Sequence, residues 1–129
     1  MNIKAKVTFF DDKITSAIGA GVYEIYVRLN NKETLLYVGE SVFVLVRCAS
    51  HLYKIAKGDG YLGFTEEMLN TDDVTIVFKL FDSIQDTKLR KDTEKNLIKE
   101  KNPKMQSGIS DRVKPIECMI EEMINILNE

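Results

Sequence analysis

The chain has 129 residues, of which 44% are apolar and 29% are charged, proportions typical of one globular domain that can bury its own core. Its formal net charge of −2 argues against a broad, tight footprint on duplex nucleic acid, because affinity for the backbone depends largely on phosphates neutralised by basic side chains. Apolar runs are much shorter than the roughly 18 residues that span a bilayer, and the chain begins without a signal-peptide block, so we predict a cytoplasmic protein with no membrane partner.

The first part of the chain is rich in strand patterns. Residues 3–9 alternate apolar with polar side chains, the period of a half-buried strand. Asp11 and Asp12 are then expected to cap a short helix over residues 13–18. Residues 21–29 and 33–39 are aromatic and β-branched runs on either side of Asn30-Asn31-Lys32, which predicts a β-hairpin. Residues 42–46 are apolar and largely β-branched, so their propensity favours strand.

The second part mixes a loop, a strand and two helices. The glycines of residues 57–64 predict a mobile loop. Residues 74–82 read as a buried strand, and residues 86–101 as a helix that ends before Pro103. Residues 107–110 connect to a last helix from about Pro115. An apolar stripe on that helix is expected to pack on the domain, with a second copy or another protein as the alternative partner of residues 115–129; its members are Ile116, Ile120, Met123, Ile124 and Leu127.

Basic side chains crowd one segment of the predicted helix at 86–101 and the residues after it. This segment is either a local nucleic-acid patch or a solvated helix face, since Asp and Glu side chains are interspersed; its basic members are Lys88, Arg90, Lys91, Lys95, Lys99, Lys101 and Lys104. Cys48 and Cys118 lack the spacing of a zinc site. We expect both to be buried thiols.

Two tyrosines of the predicted hairpin can reach one site only if they share a face of the sheet. Tyr23 and Tyr37 do so when paired positions sum to an even number, which requires an odd-length turn or a bulge. A two-residue turn alone would separate them. Arg47 and His51 are four residues apart and lie on the same side of any helix that contains both. With the carboxylate of Glu94, these side chains are the groups that a phosphodiester-cleaving site uses.

The order of these residues resembles the GIY-YIG endonucleases. Gly21-Val22-Tyr23 and Tyr37-Val38-Gly39 are followed by Arg47 and His51. The later segment from Glu94 to Lys99, with Pro103 four residues on, is similar to the E-x-N-L-I-K-x-x-x-P segment in the incision domain of bacterial excision-repair nucleases of that family. The resemblance covers about residues 21–106, and Gln106 stands where many relatives have asparagine.

The resemblance implies an α/β (α+β) fold, with a small central antiparallel sheet of about three strands flanked by helices. Residues 1–129 would form a single domain, with residues 1–20 as an N-terminal extension, 21–106 as the nuclease core, and 107–129 as a linker and C-terminal amphipathic helix. It also implies hydrolysis of nucleic-acid phosphodiesters, with DNA as the expected substrate.

The resemblance further implies roles for individual residues. Glu94 would hold one Mg²⁺ or Mn²⁺, since a hydrated divalent ion needs only one or two protein carboxylates. Tyr23, in preference to Tyr37, would act on the attacking water, and Arg47 would stabilise the transition state. His51 would assist proton transfer or phosphate binding, while the expected substrate contacts are Gly39, Lys99 and Gln106. The alternatives are a catalytically weak or inactive binding module with this fold, and an unrelated α/β interaction protein.

Overall fold

The computed structural model describes residues 3–129, and a four-stranded mixed sheet lies at its centre. The α+β class predicted from the sequence is confirmed. In spatial order the strands are β1 (Lys6–Phe9), β4 (Val74–Ser83), β2 (Gly21–Leu29) and β3 (Lys32–Ser41). β2 is antiparallel to both of its neighbours, whereas β1 runs parallel to β4. The antiparallel part therefore has the expected three strands, and the fourth strand makes the sheet mixed.

The segment expected to be an N-terminal extension contributes this fourth strand. Lys6 pairs with Thr75 and Phe9 with Phe78, so the alternating pattern of the sequence reports a real strand. The helix predicted over residues 13–18 is wrong. Two 3-10 turns, Asp11–Lys13 and Ser16–Ile18, replace it, because Phe10 is left-handed at φ 63° and no side chain caps the first turn.

The hairpin brings Tyr23 and Tyr37 to the same face of the sheet by combining a two-residue turn with a bulge, which the sequence alone does not predict. Asn30 and Asn31 form a two-residue turn with positive φ at both positions, the geometry of a type I′ turn. That turn alone would put the two phenols on opposite faces. Leu36 bulges out of the ladder, since Ile25 pairs with Tyr37 and Tyr26 with Leu35, and the extra residue restores the shared face.

Four helices surround the sheet: α1 (Val44–Ala56), the single turn α2 (Glu66–Leu69), α3 (Thr87–Lys101) and α4 (Ile116–Leu127). The strand favoured over residues 42–46 is wrong, since α1 begins at Val44. Its buried residues recur with the helical period and outweigh the local preference of valine for strands; they are Val44, Cys48, His51 and Ile55.

The two faces of the sheet carry different helices. Tyr23 and Ile25 belong to the larger core, with side chains of α1 and α4, whereas Val22 and Val38 pack with Leu97 and Ile98 of α3 on the other face. The buried face of α4 differs from the predicted apolar stripe. Met119, Met123 and Ile126 are buried, whereas Ile116 and Ile124 of the predicted stripe are exposed. α4 packs on this domain, chiefly on the turn Tyr61–Gly63.

The chain after α3 runs along the free edge of β3. Backbone amides of Lys104 and Met105 donate to carbonyls of Leu35 and Leu36. Residues 103–114, here called the edge loop, therefore pass from the α3 side of the sheet to the α1 side. None of the helices formed by residues 3–129 is long and apolar enough to cross a membrane. Cys48 is buried as expected, but Cys118 is exposed, so that part of the prediction is wrong.

Candidate active site

A polar cavity of about 430 Å³ opens beside the edge loop, between α1 and the turn Tyr61–Gly63. Most of its polar wall can donate hydrogen bonds, and Asp111 supplies the one carboxylate among the lining residues; these are Tyr37, Arg47, Ser50, His51, Lys54, Tyr61, Asp111 and Val113. Three of the five residues predicted to be catalytic thus border one space. The remaining two, Tyr23 and Glu94, are not among the residues that line it.

Tyr23 does not line the cavity and is linked to it by a hydrogen bond to His51. Its hydroxyl lies 2.8 Å from His51 Nε2, and its side chain is 1% exposed. His51 Nδ1 lies 2.9 Å from the hydroxyl of Tyr61 on the other side of the ring. α1 supplies the histidine because position 51 falls on its buried face, directly above the β2 phenol.

The protonation of these groups follows from their burial. Burial raises the pKa of Tyr23 far above its ordinary value, and Tyr37 raises it further. Burial, helped by the nearby charges of Arg47 and Lys54, lowers the pKa of His51 to about 4. The imidazole is therefore neutral at pH 7, and Tyr23 keeps its proton. The expectation that Tyr23 is the general base is not supported, because its phenol neither ionises readily nor faces the cavity.

Arg47 and Tyr37 converge on one carboxylate oxygen of the edge loop. Arg47 Nη2 donates to Asp111 Oδ1 over 2.7 Å, and the Tyr37 hydroxyl donates to the same oxygen over 3.1 Å. Burial alone would raise the pKa of Asp111, but the hydrogen bond and charge of Arg47 hold it below the ordinary range. A guanidinium and a phenol that share one anionic oxygen can bind a phosphate oxygen in the same way.

Glu94 joins this arrangement through the residue before Asp111. The Ser110 hydroxyl donates to Glu94 Oε1 over 2.5 Å, and Glu94 is 3% exposed on the β3 side of α3. Burial raises its pKa, although the bond from Ser110 opposes the shift. Two consecutive loop residues therefore contact Glu94 and Arg47, whose helices lie on opposite faces of the sheet. Glu94 does not pair with Arg90, four residues earlier on the same helix, because Arg90 binds Glu40 over 2.6 Å.

The resemblance assigns Glu94 as the protein ligand of a cation, and its side chain is 3% exposed. Within residues 3–129, no three His, Cys, Asp or Glu side chains are grouped to hold a metal. Ser110 binds one carboxylate oxygen of Glu94, and the second oxygen makes no hydrogen bond within residues 3–129. One carboxylate oxygen is sufficient for an ion that keeps most of its water ligands.

The three residues expected to contact substrate lie elsewhere. Gln106 is buried, and its amide pairs with both backbone groups of Val38, accepting over 3.0 Å and donating over 2.7 Å. It therefore fixes the edge loop to β3. Lys99 is exposed on α3, turned about 140° around the helix axis from Glu94. Gly39 is buried against the phenol of Tyr23, which leaves no room for a substrate.

Replacing Gly39 with alanine tests this close contact. A Cβ at position 39 would collide with the hydroxyl of Tyr23, so the phenol must move away from His51. We expect a loss of about 1–3 kcal/mol in the free energy of unfolding, the usual cost of overpacking a core. Denaturant titration measures this loss. An unchanged stability would show that the tyrosine has room to relax.

Because the chain contains a single histidine, a change in folding stability near the pKa of histidine can be assigned to His51. The folded-state pKa of His51 is lowered to about 4 from an unfolded value near 6.5. The unfolded chain then binds more protons between these values, so stability falls as pH decreases through this window. We expect a loss of about 2 kcal/mol between pH 7 and pH 5.

Denaturant titrations of the unsubstituted protein and of His51→Gln at both pH values measure this contribution. The pKa of Glu94 is raised by burial, so protonation of Glu94 adds to folding stability as the pH falls. This contribution is the same in both proteins and cancels in the comparison. We expect the extra loss at pH 5 to disappear in the variant. Equal losses in the two proteins would contradict the buried, neutral histidine.

Three residues of the site were missed by sequence reasoning. Tyr61 lay in the segment predicted to be a mobile loop, yet Leu62 and Phe64 beside it are fully buried. Two large apolar residues among the glycines were the available signal. Ser110 ends the predicted connection over residues 107–110 and Asp111 follows it, and no local pattern marks either residue. Of the two alternatives for the basic segment of α3, the contacts favour a solvated helix face, because Lys88 pairs with Asp92 and Lys101 with Glu24.

Comparison of the chain with protein-family models, with curated proteins and with solved structures finds no match in any of the three.

Proposed function

We propose that this protein is a GIY-YIG-type, Mg²⁺-dependent endonuclease or nickase that hydrolyses phosphodiester bonds of nucleic acid, with DNA as the expected substrate, in the cytoplasm. The observation that carries the proposal is the convergence of Arg47 and Tyr37 on one anionic oxygen, beside the residue that binds Glu94. The order of sequence motifs supports the same assignment independently.

In this proposal the side chains divide the work between phosphate binding and metal binding. Arg47 and the Tyr37 hydroxyl take the phosphate oxygen that Asp111 now mimics, and their positive field offsets the charge that develops in the transition state. Glu94 would hold the cation through the carboxylate oxygen that does not bind Ser110. Mg²⁺ bound there would polarise a phosphoryl oxygen and make a bound water more acidic. Tyr37 acts as a donor, because burial and Asp111 raise its pKa.

A cleavage assay tests the proposal directly. Purified protein is expected to nick supercoiled plasmid or cut single-stranded DNA with Mg²⁺ or Mn²⁺, and to lose this activity in excess chelator. Glu94→Gln keeps an oxygen acceptor for Ser110 but removes the charge that a cation needs, so we expect cleavage to fall by at least about 100-fold. Glu100→Gln, an exposed position on the same helix, is the matched control and should cleave normally. Equal activity in both variants would refute the metal role of Glu94.

A catalytically inactive binding module is the second candidate, and one observation favours it. Asp111 already satisfies Arg47 and Tyr37, and the burial of Glu94 favours its protonated form. Such a module would bind nucleic acid through the same cavity without turnover. Binding that is unaffected by Mg²⁺, together with no cleavage by the unsubstituted protein, would identify this alternative.

A further inference from the structure

The contacts of His51 determine which of its ring nitrogens carries the proton. The Tyr23 hydroxyl is buried, and His51 Nε2 is its one hydrogen-bond partner among the described residues. A buried hydroxyl without an acceptor is costly, so it donates to Nε2. Because burial keeps the ring neutral, its hydrogen must then lie on Nδ1.

The proton on Nδ1 in turn orients Tyr61. His51 Nδ1 and the Tyr61 hydroxyl oxygen are 2.9 Å apart, and the two rings are nearly parallel, at 14°. Since this oxygen accepts from Nδ1, the hydroxyl hydrogen of Tyr61 is directed away from His51. Tyr61 borders the same cavity as Arg47, so its hydroxyl hydrogen is free to donate to an anion bound there.

We propose that Tyr61 is a further substrate-binding residue, which donates a hydrogen bond to a phosphate oxygen of nucleic acid, and that Tyr23 and His51 are positioning residues that orient it. The inference rests on the proposed function and names how its substrate is held. Donation runs in one direction, from Tyr23 through His51 to Tyr61 and into the cavity. Lys54, whose Nζ lies 5.4 Å from the centre of the Tyr61 ring, adds positive charge at the same place.

Binding of a short fluorescein-labelled DNA oligonucleotide measures the contribution of this hydroxyl. All proteins carry Glu94→Gln to prevent cleavage, and anisotropy gives the Kd. Tyr61→Phe removes only the hydroxyl, and the loss of one hydrogen bond to a charged phosphate is expected to weaken binding about tenfold or more. Tyr53→Phe is the matched control, because Tyr53 is an exposed residue of α1 that does not border the cavity, and it should bind with unchanged Kd.

A second probe with a neutral methylphosphonate backbone tests the partner of the hydroxyl. This oligonucleotide has the same bases but lacks the charged oxygens, so Tyr61→Phe should not weaken its residual binding further. An equal loss with both backbones would show that Tyr61 contacts a base or sugar and would overturn the phosphate assignment.

Nuclear magnetic resonance of ¹⁵N-labelled protein reads the tautomer directly, because the chain contains one histidine and its ring signals need no assignment. We expect the hydrogen on Nδ1 and a bare Nε2. Tyr23→Phe removes the donor to Nε2, so the ring should populate both tautomers and oligonucleotide binding should weaken although Tyr23 lies outside the cavity. A merely structural Tyr23 would leave the tautomer unchanged.

The possible failures are distinguishable. A hydrogen on Nε2 in the unsubstituted protein, or equal Kd values for Tyr61→Phe and Tyr53→Phe, would overturn this inference even where Mg²⁺-dependent cleavage is observed. Conversely, the expected tautomer and Kd values without any cleavage would leave the inference standing and refute the nuclease activity. Unfolding of Tyr61→Phe would appear in the same spectra, and Tyr23→Phe then provides the second test.

Discussion

Replacing Arg47 with alanine is expected to lower the rate constant for DNA cleavage by about 100- to 1000-fold, the usual cost of removing one donor that stabilises transition-state charge. Arg47→Lys should recover only part of the loss, because an ammonium cannot reproduce the planar fork of a guanidinium. Folding should be little affected, since the Arg47–Asp111 pair is largely exposed, at 42% and 63% of the two side chains, and such pairs contribute about 0–1 kcal/mol. Single-turnover cleavage measures the effect.

Lys57→Ala provides the control for this prediction. Lys57 follows α1, and its ammonium lies over the ring of Tyr53 rather than in the cavity. The substitution removes the same charge from the same region. We expect cleavage within about twofold of normal, because an exposed charge outside the site adds only screened attraction. Losses of equal size in the two alanine variants would mean that Arg47 contributes general attraction only.

Replacing Asp111 with asparagine is expected to strengthen oligonucleotide binding about tenfold. The carboxylate competes with a substrate phosphate for Arg47 and Tyr37, and a neutral amide competes far less, since charge-assisted hydrogen bonds are about twice as strong. Asparagine also tolerates the left-handed φ of 64° at this position. The edge loop should therefore keep its path. Anisotropy in the Glu94→Gln background gives the Kd.

The corresponding control is Asp92→Asn. Asp92 is an exposed residue of α3 paired with Lys88, so this change adds the same net charge without opening the cavity. Tighter binding in Asp111→Asn alone would identify local competition. An equal gain in both variants would mean that net charge explains the effect, and a loss in Asp111→Asn would show that Asp111 helps to bind the substrate.

The fold class and part of the site could be predicted from the sequence, where a pattern extends over many residues. Alternation predicted β1, aromatic and β-branched runs predicted the hairpin, and the motif order singled out Tyr37, Arg47 and His51, which border one cavity. At residues 42–46 the local propensity predicted a strand, but the chain forms the start of α1 from Val44. The burial of Val44 and Cys48 follows the helical period, which becomes visible only when residues beyond 46 are included. Tyr23 and Tyr37 share a face of the sheet because of a bulge at Leu36. That bulge depends on packing, and no residue of the turn predicts it.

The remainder of the site depends on contacts between distant segments. Asp111 meets Arg47 across 64 positions of the chain, and Ser110 meets Glu94 only because the edge loop is fixed to β3 by Gln106. No local spacing encodes such a meeting. The role given to Tyr23 also depended on burial, because the phenol behind His51 loses the water that would stabilise its ionised form.

The central claim is that Arg47 and Glu94 act together on one phosphodiester. Single-turnover cleavage by Arg47→Ala, by Glu94→Gln and by the double variant, all with saturating Mg²⁺, tests it most directly. Residues that serve one transition state are strongly non-additive, so we predict that the double variant cleaves about as slowly as the slower single variant. Losses that multiply independently, or an unsubstituted protein that does not cleave at all, would contradict the claim.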